Sequence, residues 1–145
     1  MVQKKKNTPY LERDISWMYF NRRILQEATR PHVPLLERMA FLGIYSNNLD
    51  EFFRVRMATQ SRIAECTDKA AAKESEHARK LIRQIGKLNA RYVEDYEKTV
   101  ASVTEALRQE NIYLVNDAEV TPEQLAFIQK FYREKLSGSF VPVWF

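Results

Sequence analysis

The chain has 145 residues, 45% hydrophobic and 29% charged, which is enough apolar material for one compact core and too little length for two comfortable domains. An aromatic content of 12% excludes disorder for the bulk of the chain, and only 3 Gly and 5 Pro leave few places to turn sharply, which excludes a many-stranded β architecture. The net charge of +4 permits anionic partners without demanding them, while one cysteine, Cys66, and two histidines, His32 and His77, exclude a disulfide framework and a zinc centre.

Residues 1–10 are polar and basic, offer no apolar face to dock, and read as a flexible N-terminal segment. They precede no apolar signal region, and no apolar run reaches the ~20 residues of a membrane helix, so the expectation is a soluble, intracellular protein. A first helix starts near Ile15 and Ser16, where Ser16 is suited to cap the first-turn amides and Ile15 and Phe20 to form a hydrophobic staple, and it runs to about Arg30. Pro31 and Pro34 bracket a short connection, with Pro34 suited to open the next helix. That second helix continues to about Ile63 on a stripe of Leu35, Met39, Leu42, Leu49, Phe52 and Val55. Gly43 to Asn48 interrupts it with one glycine and small polar residues, and a kink or a close backbone approach is expected there.

Residues 59–80 are polar and alanine-rich, and the pattern leaves open a solvated helix extension or a loop. Leu81, Ile85, Leu88, Tyr92, Tyr96, Val100, Val103 and Leu107 then recur at steps averaging about 3.7, the mark of one long helix. Ile112 to Val115 is a short apolar stretch, and Thr121-Pro122-Glu123-Gln124 supplies a cap, a first-turn proline and a capping-box glutamine for a last helix to about Leu136. Beyond Gly138 the apolar and aromatic residues to Phe145 read as a short extended segment at a cut through a longer protein. The expected fold is an all-α bundle of about four helices, one of them long, over residues 11–137, with 138–145 opening a further domain.

Few residues invite chemistry. On the second helix Phe41, Tyr45, Asn48 and Phe52 share one face, which sets a single carboxamide in an aromatic line. An asparagine side chain presents the acceptor and donor that complement an adenine edge, and neighbouring rings can stack on the base; its alternative role is to satisfy backbone groups at a helix irregularity. Asp50, Glu51, Glu94, Asp95 and Glu97 read as solvated carboxylates rather than an acid/base pair, and Arg54 and Arg56 as their partners one turn away. His32 and His77 have no paired nucleophile in reach. Arg22, Arg23 and Lys4 to Lys6 lack the aromatic interleaving of a nucleic-acid groove.

The segments Ile15 to Ala28 and Pro34 to Arg56, with the ungapped run Ser46-Asn-Asn-Leu-Asp-Glu-Phe-Phe-Arg-Val-Arg56 at their centre, resemble the amino-terminal region of bacterial polyphosphate kinase. The resemblance runs from about Leu11 to the end of the chain. It implies a transferase whose full-length form moves the terminal phosphoryl group of ATP reversibly onto polyphosphate, through a phosphohistidine and with Mg2+. The amino-terminal domain of that family is helical and helps hold the adenine end of ATP; the nucleophilic histidine and phosphate-binding arginines belong to later domains, and neither His32 nor His77 matches that histidine. Carried over by position, the adenine-contacting asparagine is Asn48, with Tyr45 and Phe52 as accompanying candidates, and no catalytic or metal-binding residue falls in this chain. Asn47 stands where many relatives carry serine, and Asp14-Ile15 where Glu-Leu is more common.

The resemblance further implies ATP and ADP as ligands, polyphosphate as a substrate of the other domains, no nucleic-acid partner, and self-association of the full-length protein. It implies a cytoplasmic location, with peripheral membrane attachment of the parent enzyme as the variant. The chain alone is expected to be inactive. Two other readings stay open: a nucleic-acid-binding helical module, suggested by the positive charge, and a scaffold whose long helix docks partner helices.

Overall fold

The computed structural model describes residues 10–140, and among them there is no β-strand. Five α-helices follow in chain order: α1 (Arg13–Ala28), α2 (Leu35–Glu51), α3 (Ala58–Glu65), α4 (Ala72–Gln109) and α5 (Pro122–Phe131). A π-helical segment, Phe52–Met57, joins α2 to α3, so that the two form one rod as the uninterrupted pattern from Leu35 to Ile63 implies. Counting that rod once, the fold is all-α with four helices, one of them 38 residues long. The chain divides into two compact units, 1–110 and 111–145.

In the first unit, α1 starts four residues earlier than a Ser16 cap suggests, because Glu12 is the cap: its carboxylate accepts the Asp14 and Ile15 N–H groups at 2.6 and 3.1 Å. An acidic side chain at this end also meets the positive pole of the helix. At the other end the Arg38 guanidinium donates to the Ala28 carbonyl at 2.6 Å, satisfying one of the last-turn acceptors of α1 from α2. The connection at residues 66–68 turns the rod back onto α4, and the buried Ser75 hydroxyl lies 2.9 Å from the Ala64 carbonyl and 3.2 Å from that of Cys66, pinning the hairpin. The open question over residues 59–80 is thus answered by two helices with a tight turn between them.

Two apolar clusters hold the unit together. Ile15, Met18, Phe52, Met57, Leu81, Ile85 and Tyr92 form one; Leu25, Ala28, Leu42, Tyr45, Val103 and Leu107 form the other, and Leu49 packs against both. The stripe expected on α4 faces these clusters along its whole length. The stripe expected on the rod fails at Val55, which is 49% exposed while Met57 is 7% exposed. The π-segment is the reason: a wider turn returns to the same face after five residues, so the inward position after Phe52 is Met57.

The kink expected at Gly43 to Asn48 is not there. Backbone hydrogen bonding runs through α2 unbroken, and a Cβ on Gly43 would meet nothing within 4 Å, so no neighbour approaches it closely. The irregularity lies one turn later, in Phe52–Met57, where the helix widens and the Ala58 N–H reaches back five residues to the Phe53 carbonyl. α4 ends at Gln109, and just past its cap Asn111 takes a φ of 60°, the left-handed conformation asparagine tolerates after a helix.

In the second unit, α5 opens with the capping box read from the sequence: Gln124 N–H donates to Thr121 Oγ1 at 3.3 Å and Thr121 N–H to Gln124 Oε1 at 2.9 Å, with Pro122 in the first turn. Ile112 to Val115 has no regular structure. The extended segment expected over 138–145 starts instead with a 3-10 turn, Ser137–Ser139, and only Phe140 has extended backbone; its residues 141–145 lie outside those described, as do residues 1–9 of the N-terminal segment.

Candidate adenine site

Asn48 stands on the last turn of α2, facing α1. Opposite it is Asn21, only 1% exposed, in a position that the apolar period of α1 assigns to the core, between Met18 and Leu25. Asn21 Nδ2–H donates to the Tyr45 carbonyl at 3.1 Å, and Asn48 Nδ2–H donates to Asn21 Oδ1 at 3.2 Å. A carbonyl only accepts, so the first bond fixes which end of the Asn21 amide faces α2, and the second then fixes the orientation of Asn48. Asn48 is left with Oδ1 and one N–H unengaged by any of the described residues.

Asn48 is one of the residues lining a surface cavity of about 330 Å³ between α1 and the rod, with Trp17, Phe20, Glu51, Phe52, Val55 and Arg56. Trp17 and Phe52 form its aromatic wall as a parallel stack, with ring centroids 4.2 Å apart and planes 8° from parallel. Val55 reaches the cavity because of the π-segment, which turns it away from the core. The combination of flat rings, a carboxamide edge and an apolar floor can take a planar heterocycle with polar groups on its rim.

Tyr45 is elsewhere. Its ring is 2% exposed, stacked on Tyr96 at 5.3 Å in the second apolar cluster, and does not line the cavity. Its hydroxyl is buried without a hydrogen-bond partner, and burial, with Tyr92, Tyr96 and Asp95 nearby, pushes its ionisation up to about 12. Of the residues singled out in the sequence, Asn48 and Phe52 therefore meet at the cavity, whereas Tyr45 contributes its carbonyl to the Asn21 relay.

At the far end Arg56 donates twice to Asp14 Oδ1, from Nε at 3.1 Å and Nη2 at 2.9 Å, and Gln60 Nε2 donates to Oδ2 at 3.1 Å. Asp14 is 2% exposed; burial, and Glu12 beside it, push its carboxyl above the usual value, against the pull of Gln60 and Arg13. Arg54 does pair with Asp50, at 2.6 Å, as sequence spacing suggests, but Arg56 takes Asp14 on α1 rather than Glu51, again because the π-segment rotates it across the seam. Asp95 is occupied by Arg22 at 3.7 Å. Asn21 and Asp14 are the residues that sequence reasoning passed over; a polar residue inside an apolar period was the available signal.

Among the described residues no three His, Cys, Asp or Glu side chains converge on a point where a metal ion would sit. No helix of the described chain is long and apolar enough to cross a membrane.

The Polyphosphate kinase N-terminal domain family matches residues 10–115, which spans α1 to the end of α4 and contains every residue of the cavity. The chain belongs to this family. It is similar to proteins named polyphosphate kinase from Vibrio parahaemolyticus, at 32% identity over 134 residues, Yersinia pestis, at 33% over 135, and Escherichia coli, at 31% over 134. Each alignment covers 92% of this chain and 19% of the relative, so the chain spans about a fifth of the length of the relatives it matches. No solved structure matches it.

Proposed function

We propose that this chain is the part of an ATP:polyphosphate phosphotransferase that holds the adenine of ATP, with Asn48 reading the base edge and the Trp17–Phe52 stack supporting its face. The observation that carries the reading is the Asn21–Asn48 relay, which engages one N–H of a residue lining the cavity and leaves the Asn48 carbonyl oxygen and second N–H without a partner among the described residues. The adenine amino group donates to such an oxygen and a ring nitrogen accepts from such an N–H; guanine presents an acceptor in place of the amino group. Family membership and the name of the relatives support the phosphotransfer, which is expected to run in the cytoplasm with Mg2+ and a histidine of other domains. The isolated chain is expected to show no phosphotransfer, and self-association is tested by sedimentation at several concentrations.

The test is an amide NMR titration of the chain with ATP and GTP, at the ~mM affinity of a half-site, about −4 kcal/mol. ATP shifts spanning Asn48 to Arg56, absent with GTP and lost in Asn48→Ala, are the expected result. An Asn48→Ala variant that unfolds α1 from α2 without any ATP shift in the parent would favour a purely structural carboxamide and a scaffold role.

A further inference from the structure

From His77 to Val93 the chain carries five cations, Arg79, Lys80, Arg83, Lys87 and Arg91, and no carboxylate; Glu76 and Glu94 bound the stretch. All of it lies within α4, and all five cations are exposed. Lys80 is paired with Glu76 at 2.7 Å. Arg79, Arg83, Lys87 and Arg91 have no ion pair among the described residues. They recur every fourth residue, so successive charges rise by about 6 Å and the row extends about 18 Å while winding slowly round the solvent side of the helix. Exposed Gly86 and Ala90 border the row without bulk, and nothing lies within 4 Å of where a Gly86 side chain would be.

Elsewhere among the described residues exposed cations are either paired, as Arg54 with Asp50, Arg30 with Glu27 and Arg108 with Glu105, or unpaired without forming such a row, as Arg23 and Arg62 are; only on α4 do four recur at this spacing with no carboxylate between them. Four unmatched like charges in a row repel one another at i, i+4 spacing, a cost a solvated helix face ordinarily avoids by alternating sign. The row contains no aromatic residue from Arg79 to Arg91, so it offers phosphate contacts with no platform for stacking bases. A linear polyanion without bases is the ligand that such a face fits.

We infer that the Arg79, Arg83, Lys87 and Arg91 row on α4 is a surface track that binds an inorganic polyphosphate chain, separate from the adenine cavity. The choice of this polyanion rests on the phosphotransfer reading given above. The track holds the chain by charge alone, so its affinity falls steeply with salt, with a slope of about −3 in log affinity against log salt for four neutralised phosphates.

The experiment measures anisotropy of end-labelled polyphosphate across a salt series with three proteins. These are the parent chain, a variant carrying Arg79→Gln, Arg83→Gln, Lys87→Gln and Arg91→Gln, and a control of equal charge loss, Arg23→Gln, Arg62→Gln, Arg108→Gln and Lys130→Gln. All eight positions are exposed, and circular dichroism checks that helicity is kept. The expected result is at least tenfold weaker binding and a nearly flat salt slope for the α4 variant, with the control within about threefold of the parent. Equal losses in both variants would reduce the effect to net charge and overturn the track. Single-stranded DNA of matched charge binding as tightly and losing as much would replace it with a nucleic-acid face. ATP shifts around Asn48, read on the same samples, separate the two ideas: polyphosphate failing to bind while those shifts persist defeats the track alone, and the reverse defeats the adenine reading alone.

Discussion

Asn21 Oδ1 accepts an N–H of Asn48 at 3.2 Å across the α1–α2 seam, and Asn21 in turn donates to the Tyr45 carbonyl at 3.1 Å. The relay makes a buried side chain on one helix responsible for the orientation of a cavity residue on the next. Asn21→Ala removes a hydrogen-bonded amide from the core and frees Asn48 to rotate. We expect a stability loss of about 1–3 kcal/mol, and for the double variant with Asn48→Ala a coupling of about 0.5–1.5 kcal/mol. Urea unfolding of the four members of the cycle gives the number; additive losses would mean the two amides do not act together.

The π-segment has its own signature. Met57 packs beneath the rod and Val55 faces out, so Met57→Ala should cost about 2–4 kcal/mol and Val55→Ala less than about 1. A regular α-helix from Leu35 onward would reverse that order, and thermal unfolding of the two variants distinguishes the cases.

Arg56 is the cationic partner of a carboxylate that is 2% exposed. In Arg56→Met, Asp14 keeps Gln60 but loses its counter-charge, and a loss of about 2–3 kcal/mol at neutral pH is expected, below the full value for a buried pair because the Arg56 side chain is partly solvated. The sign with pH follows from the raised Asp14 ionisation. A carboxyl whose folded value lies above its unfolded value is most favourable when protonated, and the folded state loses stability as pH rises through that interval. The deficit of the variant should therefore shrink on going from pH 7 to pH 4. A deficit that grows on acidification would contradict the arrangement.

Tyr45 carries a buried hydroxyl without a partner and ionises only near 12, against 10.0 for a free tyrosine. Its folded value is the higher one, so the contribution of the protonated form is fully present below pH 10, and up to about 3 kcal/mol is lost as pH rises from there through about 12. Tyr45→Phe should remove the latest step of the tyrosinate absorbance titration and, having no hydrogen bond to lose, should be neutral or slightly stabilising at pH 7. Destabilisation beyond about 1 kcal/mol would show that the hydroxyl has a partner.

How much of this was legible in the sequence varies by element. The α4 stripe and the α5 capping box could be read directly, because periodicity and cap chemistry are local. The α1 start was misplaced because Glu12 caps it with a longer side chain than the serine signal anticipates. Asn48 and Phe52 were visible as polar and aromatic members of one face. Trp17, Phe20 and Asn21 were not, since only the packing of α1 on α2 brings them opposite. The π-segment left no compositional mark: Phe52–Met57 contains neither glycine nor proline, and the widening shows only in which of Val55 and Met57 turns inward. Arg56 followed the same error, assigned to its own helix when the extra residue swings it to Asp14.

The central claim is that Asn48 reads the adenine edge, and the most direct measurement compares the affinities of ATP and inosine triphosphate for the parent chain and for Asn48→Ala. The two nucleotides differ at the position that faces Asn48 Oδ1, an amino donor in one and a carbonyl acceptor in the other. The account predicts roughly tenfold preference for ATP in the parent, within the ~1–3 kcal/mol of a two-point base contact, and a ratio near one in Asn48→Ala. Equal affinities in the parent, or a preference that survives the substitution, would contradict it.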